Sequence, residues 1–282
     1  MRGFHPLELP AVVLPGQADD GAGFVGNRVA ATGVGGQQAE QGGDEREMTD
    51  DQCVFMPVID VVDELLRIAI GLDVGVNTRF DIRCDLTVIE MEGWRRDYWF
   101  DQTGLPWIQP SPNLPTLDTA TVYPGSVLVE GTGLSEGRGT TRPFEMIGAP
   151  YIHSRSFAEY LNGLGLPGVV FRPAHFQPTF NKWAGEMCGG IQIHVIDRNQ
   201  FEPYLTGIAV ISAVYALYPE SFKWREPPYE YEYEKKPIEI LCGGKEIPDM
   251  IRCRIPYDEI RASWQGDVEG FLVKRRQYLL YD

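Results

Sequence analysis

Glycine and charge divide this chain before any element is assigned. Residues 1–50 hold ten glycines, with pairs at Gly35–Gly36 and Gly42–Gly43 and a polar run from Gln37 to Glu47. Residues 1–78 carry 13 acidic residues against four basic ones, and the first lysine is Lys182. Such a stretch buries too little apolar surface to offset its chain entropy. Residues 1–55 are therefore expected to be a disordered leader. Residues 56–78 are expected to be a helix and linker, with the helix over 56–70: its apolar side is Val58, Val61, Val62, Leu65, Leu66 and Ala69. The ordered fold must come from residues 79–282.

That remainder is long enough to bury a core without disulfides or metals. The five cysteines are widely spaced, with no Cys-x-x-Cys pair, and read as reduced thiols. The net charge of -15 argues against nucleic acid or an anionic membrane surface as the main partner. No apolar run reaches the roughly 18 residues of a membrane span. No basic stretch followed by an apolar one opens the chain, so no signal peptide is read there.

Short elements punctuate the second part. Residues 86–91 and 126–130 read as strands. Pro106, Pro110, Pro112, Pro115 and Pro124 predict an ordered extended loop over 105–124. Ser156 and Glu159 form a capping-box pattern for a helix over 156–163. Val169–Arg172 is a short strand. Residues 191–196 alternate, with Ile191, Ile193 and Val195 on one face and Gln192 and His194 on the other. Pro203 and Pro219 bound an apolar helix over 204–217. Residues 229–234 alternate Tyr and Glu as an edge strand or an acidic loop, and a last helix covers about 258–277. The mixture predicts an α/β or α+β fold, a mixed short-stranded sheet with flanking helices behind a poorly ordered N-terminal segment.

Chemistry concentrates in a few segments. Glycines at 131, 133, 137 and 139 let the backbone turn and approach a ligand closely, and exposed N–H groups there suit an anion or a sugar hydroxyl. Arg138 sits between two of them, where a guanidinium grips a carboxylate bidentately. Glu130, Glu136 and Glu145 supply carboxylates. The loop lacks the Gly-Lys-Ser/Thr of a phosphate loop and the dinucleotide glycine spacing. Each feature also has a plain reading. The loop is a structural turn, Glu145 caps a helix, Lys182 and Glu186 form a surface pair, and His194 is a structural histidine. Trp94, Trp99, Trp107 and Trp183 either pack in the core or stack on a sugar.

Several strings together resemble one family. They are Asp85–Asp97, Ser111–Asn113, Leu117–Ala120, Tyr123–Gly125, Glu130–Thr132, Leu134–Thr140, Pro143–Glu145, Gly148–Pro150, Lys182, Gly185–Glu186, Cys188–Gly190, His194–Val195 and Tyr278–Tyr281. In this order they resemble the NamZ-type exo-β-N-acetylmuramidases over residues 79–282. The resemblance implies a peptidoglycan-recycling glycoside hydrolase that releases terminal N-acetylmuramic acid from the non-reducing end. It also implies a cleft between a Rossmann-like N-terminal domain and a smaller C-terminal one. A muramic-acid saccharide is the expected partner, no cofactor or metal is expected, and the compartment is bacterial cytoplasm or cell envelope. The family's Gly-Pro-Glu-His-Gly segment is absent from residues 1–78, and Gly133 stands where the family usually has Asn. A truncated or frame-shifted product, or a C-terminal domain with an unrelated leader, is therefore expected. The acid catalyst would lie in the missing half.

Glycoside hydrolysis uses two carboxyl groups, and Glu130 and Glu136 are the catalytic candidates. The substrate-binding candidates are Asn113, Thr119, Tyr123, Thr132, Ser135, Arg138, Thr140, Glu145, Lys182, Glu186 and His194, with Arg138 on the lactyl carboxylate. The alternative is a carbohydrate-binding domain without catalysis.

Overall fold

The computed structural model describes residues 91–276 together with Leu279 and Tyr281. The leader, the 56–70 helix and all but the last residue of the 86–91 strand lie outside the described residues.

A three-stranded antiparallel sheet, in the order β1–β3–β2, forms the centre. Its strands are β1 (Met146–Ala149), β2 (Val169–Phe176) and β3 (Cys188–Val195). β2 and β3 pair along their whole length, from Val169 opposite Val195 to Phe176 opposite Cys188. Residues 177–187 are therefore a long hairpin loop. The register places Ile147 opposite Ile191 and Phe171 opposite Ile193, all in the core. Gly148, Gly189 and Gly190 let neighbouring backbone come close: a Cβ on Gly190 would collide with the Ile147 carbonyl. The mixed helix-and-sheet class expected from the sequence holds, with a small sheet and flanking helices.

Helix α1 (Leu117–Ser126) begins at Thr116, whose Oγ1 accepts the Thr119 N–H at 3.2 Å. The extended loop expected over 105–124 thus stops at Thr116, and Pro124 lies inside a helix. An interior proline costs about 3 kcal/mol. The helix survives because most of it is buried against helix α3 (Pro203–Leu217). α3 is apolar all round and buried on nearly every side, as a central core helix must be. Gly125 and Gly207 meet where the two helices cross, so backbone touches backbone.

The strand expected at 126–130 is instead a 3-10 turn, Val127–Gly131, running straight on from α1. Leu128 and Val129 are both buried, whereas a half-buried strand would alternate. Helix α2 (Ser154–Gly163) buries Phe157, Ala158 and Leu161. Its cap is the His153 side chain, which accepts the Ser156 N–H, rather than the expected Ser156–Glu159 box. Short helices α4 (Pro237–Leu241) and α5 (Glu246–Arg252) follow. The expected single C-terminal helix is two, α6 (Tyr257–Ser263) and α7 (Gln265–Arg275). They break at Trp264, whose ring packs edge-on to Tyr204 at 5.2 Å; that tertiary contact leaves no glycine or proline mark in the sequence. Residues 229–234 form no strand: Tyr229 and Glu232 close a tight turn.

Candidate active site

The polar centre is built from the 3-10 turn, the glycine-rich loop, the 177–187 hairpin loop and the segment after α3. Glu130 is the last residue but one of the 3-10 turn, and Glu136 lies six residues on, where the loop folds back. The Phe144 N–H donates to the Glu136 carbonyl at 2.6 Å, and Ser135 pairs with Gly148 of β1. Gly137 (φ 75°) and Gly139 (φ 81°) adopt the left-handed turns that the loop requires. A Cβ on Gly139 would come within 2.7 Å of the Phe180 nitrogen, so here glycine admits the hairpin loop. Thr179 binds the Gly139 carbonyl through N–H (3.0 Å) and Oγ1 (2.9 Å).

Both carboxylates are nearly enclosed: Glu130 is 7% exposed and Glu136 2%. A buried carboxylate needs cations and donors. The Arg138 guanidinium bonds Glu130 Oε1 through Nη2, and its Nε lies 3.5 Å from Glu136 Oε1, an ion-pair distance without hydrogen-bond geometry. Lys182 Nζ donates to Glu136 Oε2 at 3.0 Å and to the Val129 carbonyl at 3.0 Å, with the Glu130 carbonyl at 3.5 Å. Burial pulls the Lys182 ammonium below the usual lysine range, against the upward pull of Glu136 and Glu130. The Tyr229 hydroxyl donates to Glu130 Oε2 at 2.8 Å. Burial, then the charge of Glu130, raises the Tyr229 phenol. Tyr123 is raised by the same two causes, with Arg138 opposing, and its ring meets Phe144 edge-on at 4.8 Å. The Arg138 guanidinium carbon also lies 5.2 Å from the centre of the Phe144 ring.

Non-glycine residues with left-handed backbone flank the centre: Phe144 (φ 63°), Asn181 (φ 69°), Trp183 (φ 60°) and Glu230 (φ 52°). Two of them bracket Lys182. Each costs of order 1–3 kcal/mol and persists only where packing over-determines it. The Trp183 indole N–H donates to the Gly133 carbonyl at 2.7 Å, so this tryptophan braces the loop.

The structure thus joins Glu130, Glu136, Arg138 and Lys182 directly, with Tyr123 beside them. Glu145 forms a neighbouring cluster: Thr119 Oγ1 donates to its Oε1 at 2.8 Å, and Arg142 lies 3.2 Å from its Oε2. Glu145 opens onto β1, so the helix-cap reading of it is set aside. Thr132, Ser135 and Thr140 serve the loop itself: Thr132 and Thr140 hydroxyls bond backbone carbonyls three residues earlier, and Ser135 Oγ accepts the Gly137 N–H. Lys182 pairs with Glu136 and not, among the described contacts, with Glu186, which is exposed. Asn113 is tied to Ser111, and His194 takes the Arg172 Nε at 3.3 Å; neither bonds the carboxylate centre. Sequence reasoning missed Tyr229, whose segment carried only an uninformative Tyr/Glu alternation, and Arg142.

No group of three His, Cys, Asp or Glu side chains able to hold a metal occurs among the described residues. No described helix is long and apolar enough to cross a membrane.

Fold and site define a mixed α and β domain whose antiparallel sheet supports a loop-built, enclosed carboxylate–cation centre. Residues 121–281 match the family model for the C-terminal domain of exo-β-N-acetylmuramidase NamZ, and residues 68–118 match its N-terminal domain model. The chain belongs to this family. It is 44% identical over 205 residues to the peptidoglycan β-N-acetylmuramidase NamZ of Bacillus subtilis, covering 73% of this chain and 48% of that protein. The crystal structure of a DUF1343 family protein from Bacteroides fragilis matches with a TM-score of 0.65 and 32% identity, over 75% of this chain and 55% of that one. A second DUF1343 structure from the same organism, at 24% identity and a TM-score of 0.51, shares the fold, over 76% of this chain and 55% of that one. The chain spans about half the length of the relatives it matches.

Proposed function

We propose that this chain contributes the carboxylate wall of an exo-acting β-N-acetylmuramidase, a glycoside hydrolase that releases terminal N-acetylmuramic acid from the non-reducing end of cell-wall fragments. The observation that carries this reading is the enclosed Glu130–Arg138–Glu136 array with Lys182 behind it. Its support is the family membership and the activity named for the Bacillus subtilis relative.

Glycosidic cleavage passes through an oxocarbenium-like transition state flanked by two carboxyl groups. Negative charge held in a low-dielectric pocket stabilises such a cation strongly and needs no reorganisation during reaction. In this reading Glu130, the more accessible carboxylate, acts at the anomeric centre. Glu136, clasped by Lys182 and facing Arg138, fixes the array. Arg138 has a second role: its Nη1 makes no hydrogen bond among the described residues, and the side chain is 29% exposed. That edge is the binding group for the lactyl carboxylate that distinguishes muramic acid from other amino sugars.

The same geometry favours one other reading. Carboxylates already matched by cations serve binding as well as chemistry, which is what saccharide recognition without cleavage requires. The test is hydrolysis of a chromogenic aryl β-glycoside of N-acetylmuramic acid by this chain and by E130Q and E136Q. The hydrolase reading expects chromophore release that drops at least a hundredfold in E130Q. Saturable N-acetylmuramic acid binding with no release by the unaltered chain would establish the binding reading instead.

A further inference from the structure

The segment after α3 crosses the carboxylate centre as a strap. Its near end is stitched to the residues that follow Glu130. The Gly133 N–H donates to the Lys223 carbonyl at 2.8 Å, Trp224 bridges Thr132, and the Arg225 N–H donates to the Gly131 carbonyl at 2.9 Å. At the far end the fully buried Ile238 lies against Gly131, where a Cβ would come within 2.8 Å of the Ile238 backbone. The two ends are drawn together by the ion pair of Lys236 with Glu226 at 3.0 Å. Between them Tyr229 and Glu232 exchange backbone hydrogen bonds of 2.9 Å in each direction, closing a tight turn. Glu230 in that turn has a φ of 52°, and Tyr231 at its tip is 91% exposed. The turn buries no core residue, so apolar packing does not account for its strained backbone. Its contact with the centre is the Tyr229 hydroxyl on Glu130 Oε2.

We propose that Tyr229 is a positioning residue for Glu130, and that the 223–238 strap exists to present it. Arg138 holds one oxygen of the Glu130 carboxylate and Tyr229 the other, so the plane of the carboxylate is fixed from two sides. The Arg225 guanidinium carbon, 5.4 Å from the centre of the Tyr229 ring, keeps the ring from swinging away. A carboxylate with one of these partners removed still carries its charge but no longer has a single orientation. This inference rests on the hydrolase reading for its kinetic consequence only; the positioning itself does not depend on turnover.

The test compares Y229F, Y231F and the unaltered chain. With the aryl N-acetylmuraminide, Y229F is expected to lose tenfold or more in kcat with KM within threefold, and Y231F to match the unaltered chain. A kcat for Y229F within twofold of the unaltered chain overturns the proposal. The second readout is the carboxyl carbon NMR signal of Glu130, identified by its disappearance in E130Q. It is expected to move in Y229F and to stay in place in Y231F; a Glu130 signal identical in Y229F and the unaltered chain overturns the proposal. If the unaltered chain releases no chromophore, the hydrolase reading falls while this signal still decides the role of Tyr229.

Discussion

Lys182 Nζ sits 3.0 Å from Glu136 Oε2 and 3.0 Å from the Val129 carbonyl, so one ammonium ties the glycine-rich loop to the turn that carries Glu130. It enters from the 177–187 hairpin loop, between two left-handed residues, Asn181 and Trp183. The lysine therefore joins three separately folded segments at the one point where their charges meet.

Among the described residues, removing that ammonium leaves the Glu136 carboxylate with Arg138 alone, at 3.5 Å and without hydrogen-bond geometry. Breaking a buried ion pair from one side costs about 3–5 kcal/mol, whereas replacing both partners is often close to neutral. K182M is expected to lose about 3 kcal/mol of unfolding free energy in urea. The double variant K182M/E136L is expected to recover at least half of that loss. A single variant within 1 kcal/mol of the unaltered chain would show that the pair contributes little.

The crossing of α1 and α3 makes a second prediction. A Cβ on Gly207 would overlap the Gly125 carbonyl, with no flexible side chain to yield. Overpacking of this kind costs about 1–3 kcal/mol or more. G207A is expected to lower Tm by about 2–12 °C at 2–4 °C per kcal/mol. Gly163, the last residue of α2, meets nothing within 4 Å and has no positive φ. G163A is expected to hold or raise Tm slightly, by at most about 1 kcal/mol in stability. Equal effects at the two glycines would refute the close-crossing account.

These contrasts show what the chain's letters carry and what they hide. The β2–β3 pair and α3 were legible because Ile191 and Ile193 alternate at period two and Pro203 marks a helix start. Glu130, Glu136, Arg138 and Lys182 stand out in the sequence as candidates, but the pairing of Lys182 with Glu136, 46 residues away, is invisible there, where its neighbour Glu186 is the plainer partner. The 3-10 turn at Val127–Gly131 reads as a strand in sequence because short apolar runs look alike in both states. Tyr229 was invisible as a site residue: only the strap's fold over Gly131 brings it to Glu130, 99 residues earlier.

Alkaline pH offers a third check. Cys242 is almost fully enclosed, and burial raises its thiol from 9.0 to about 12, with a Tyr204 hydrogen bond opposing. The unfolded chain then releases this proton near pH 9 while the folded chain keeps it. Stability contributed by the neutral thiol is present below pH 9 and is lost as pH rises through about 12. The slope is about 1.4 kcal/mol per pH unit for one proton. Urea unfolding between pH 8.5 and 10.5 is expected to show a shallower decline in C242A than in the unaltered chain, by close to that slope. Parallel declines would place the titration elsewhere, such as Cys188, which burial raises to about 11.

In the proposed hydrolase, Arg138 is the residue on which substrate identity is expected to turn. Its Nη2 is committed to Glu130, its Nε faces Glu136, and the remaining edge of the guanidinium makes no hydrogen bond among the described residues. A planar fork in this position matches the lactyl carboxylate of muramic acid and has no partner on N-acetylglucosamine, which lacks that group. A charge-assisted hydrogen bond is worth about 1.5–3 kcal/mol, or roughly 10- to 150-fold in affinity. The unaltered chain is therefore expected to bind N-acetylmuramic acid at least tenfold more tightly than N-acetylglucosamine by calorimetry. In R138A that preference is expected to collapse to within threefold, through loss of N-acetylmuramic acid affinity alone. Removal of the guanidinium also leaves the Glu130 carboxylate, among the described residues, with only the Tyr229 hydroxyl, so R138K keeps a charge in place and separates the two effects. Lysine is a point donor rather than a fork, and R138K is expected to retain folding stability while still discriminating poorly. Unchanged N-acetylmuramic acid affinity in R138A would remove the arginine from substrate recognition and leave it as the structural link between Glu130 and Glu136.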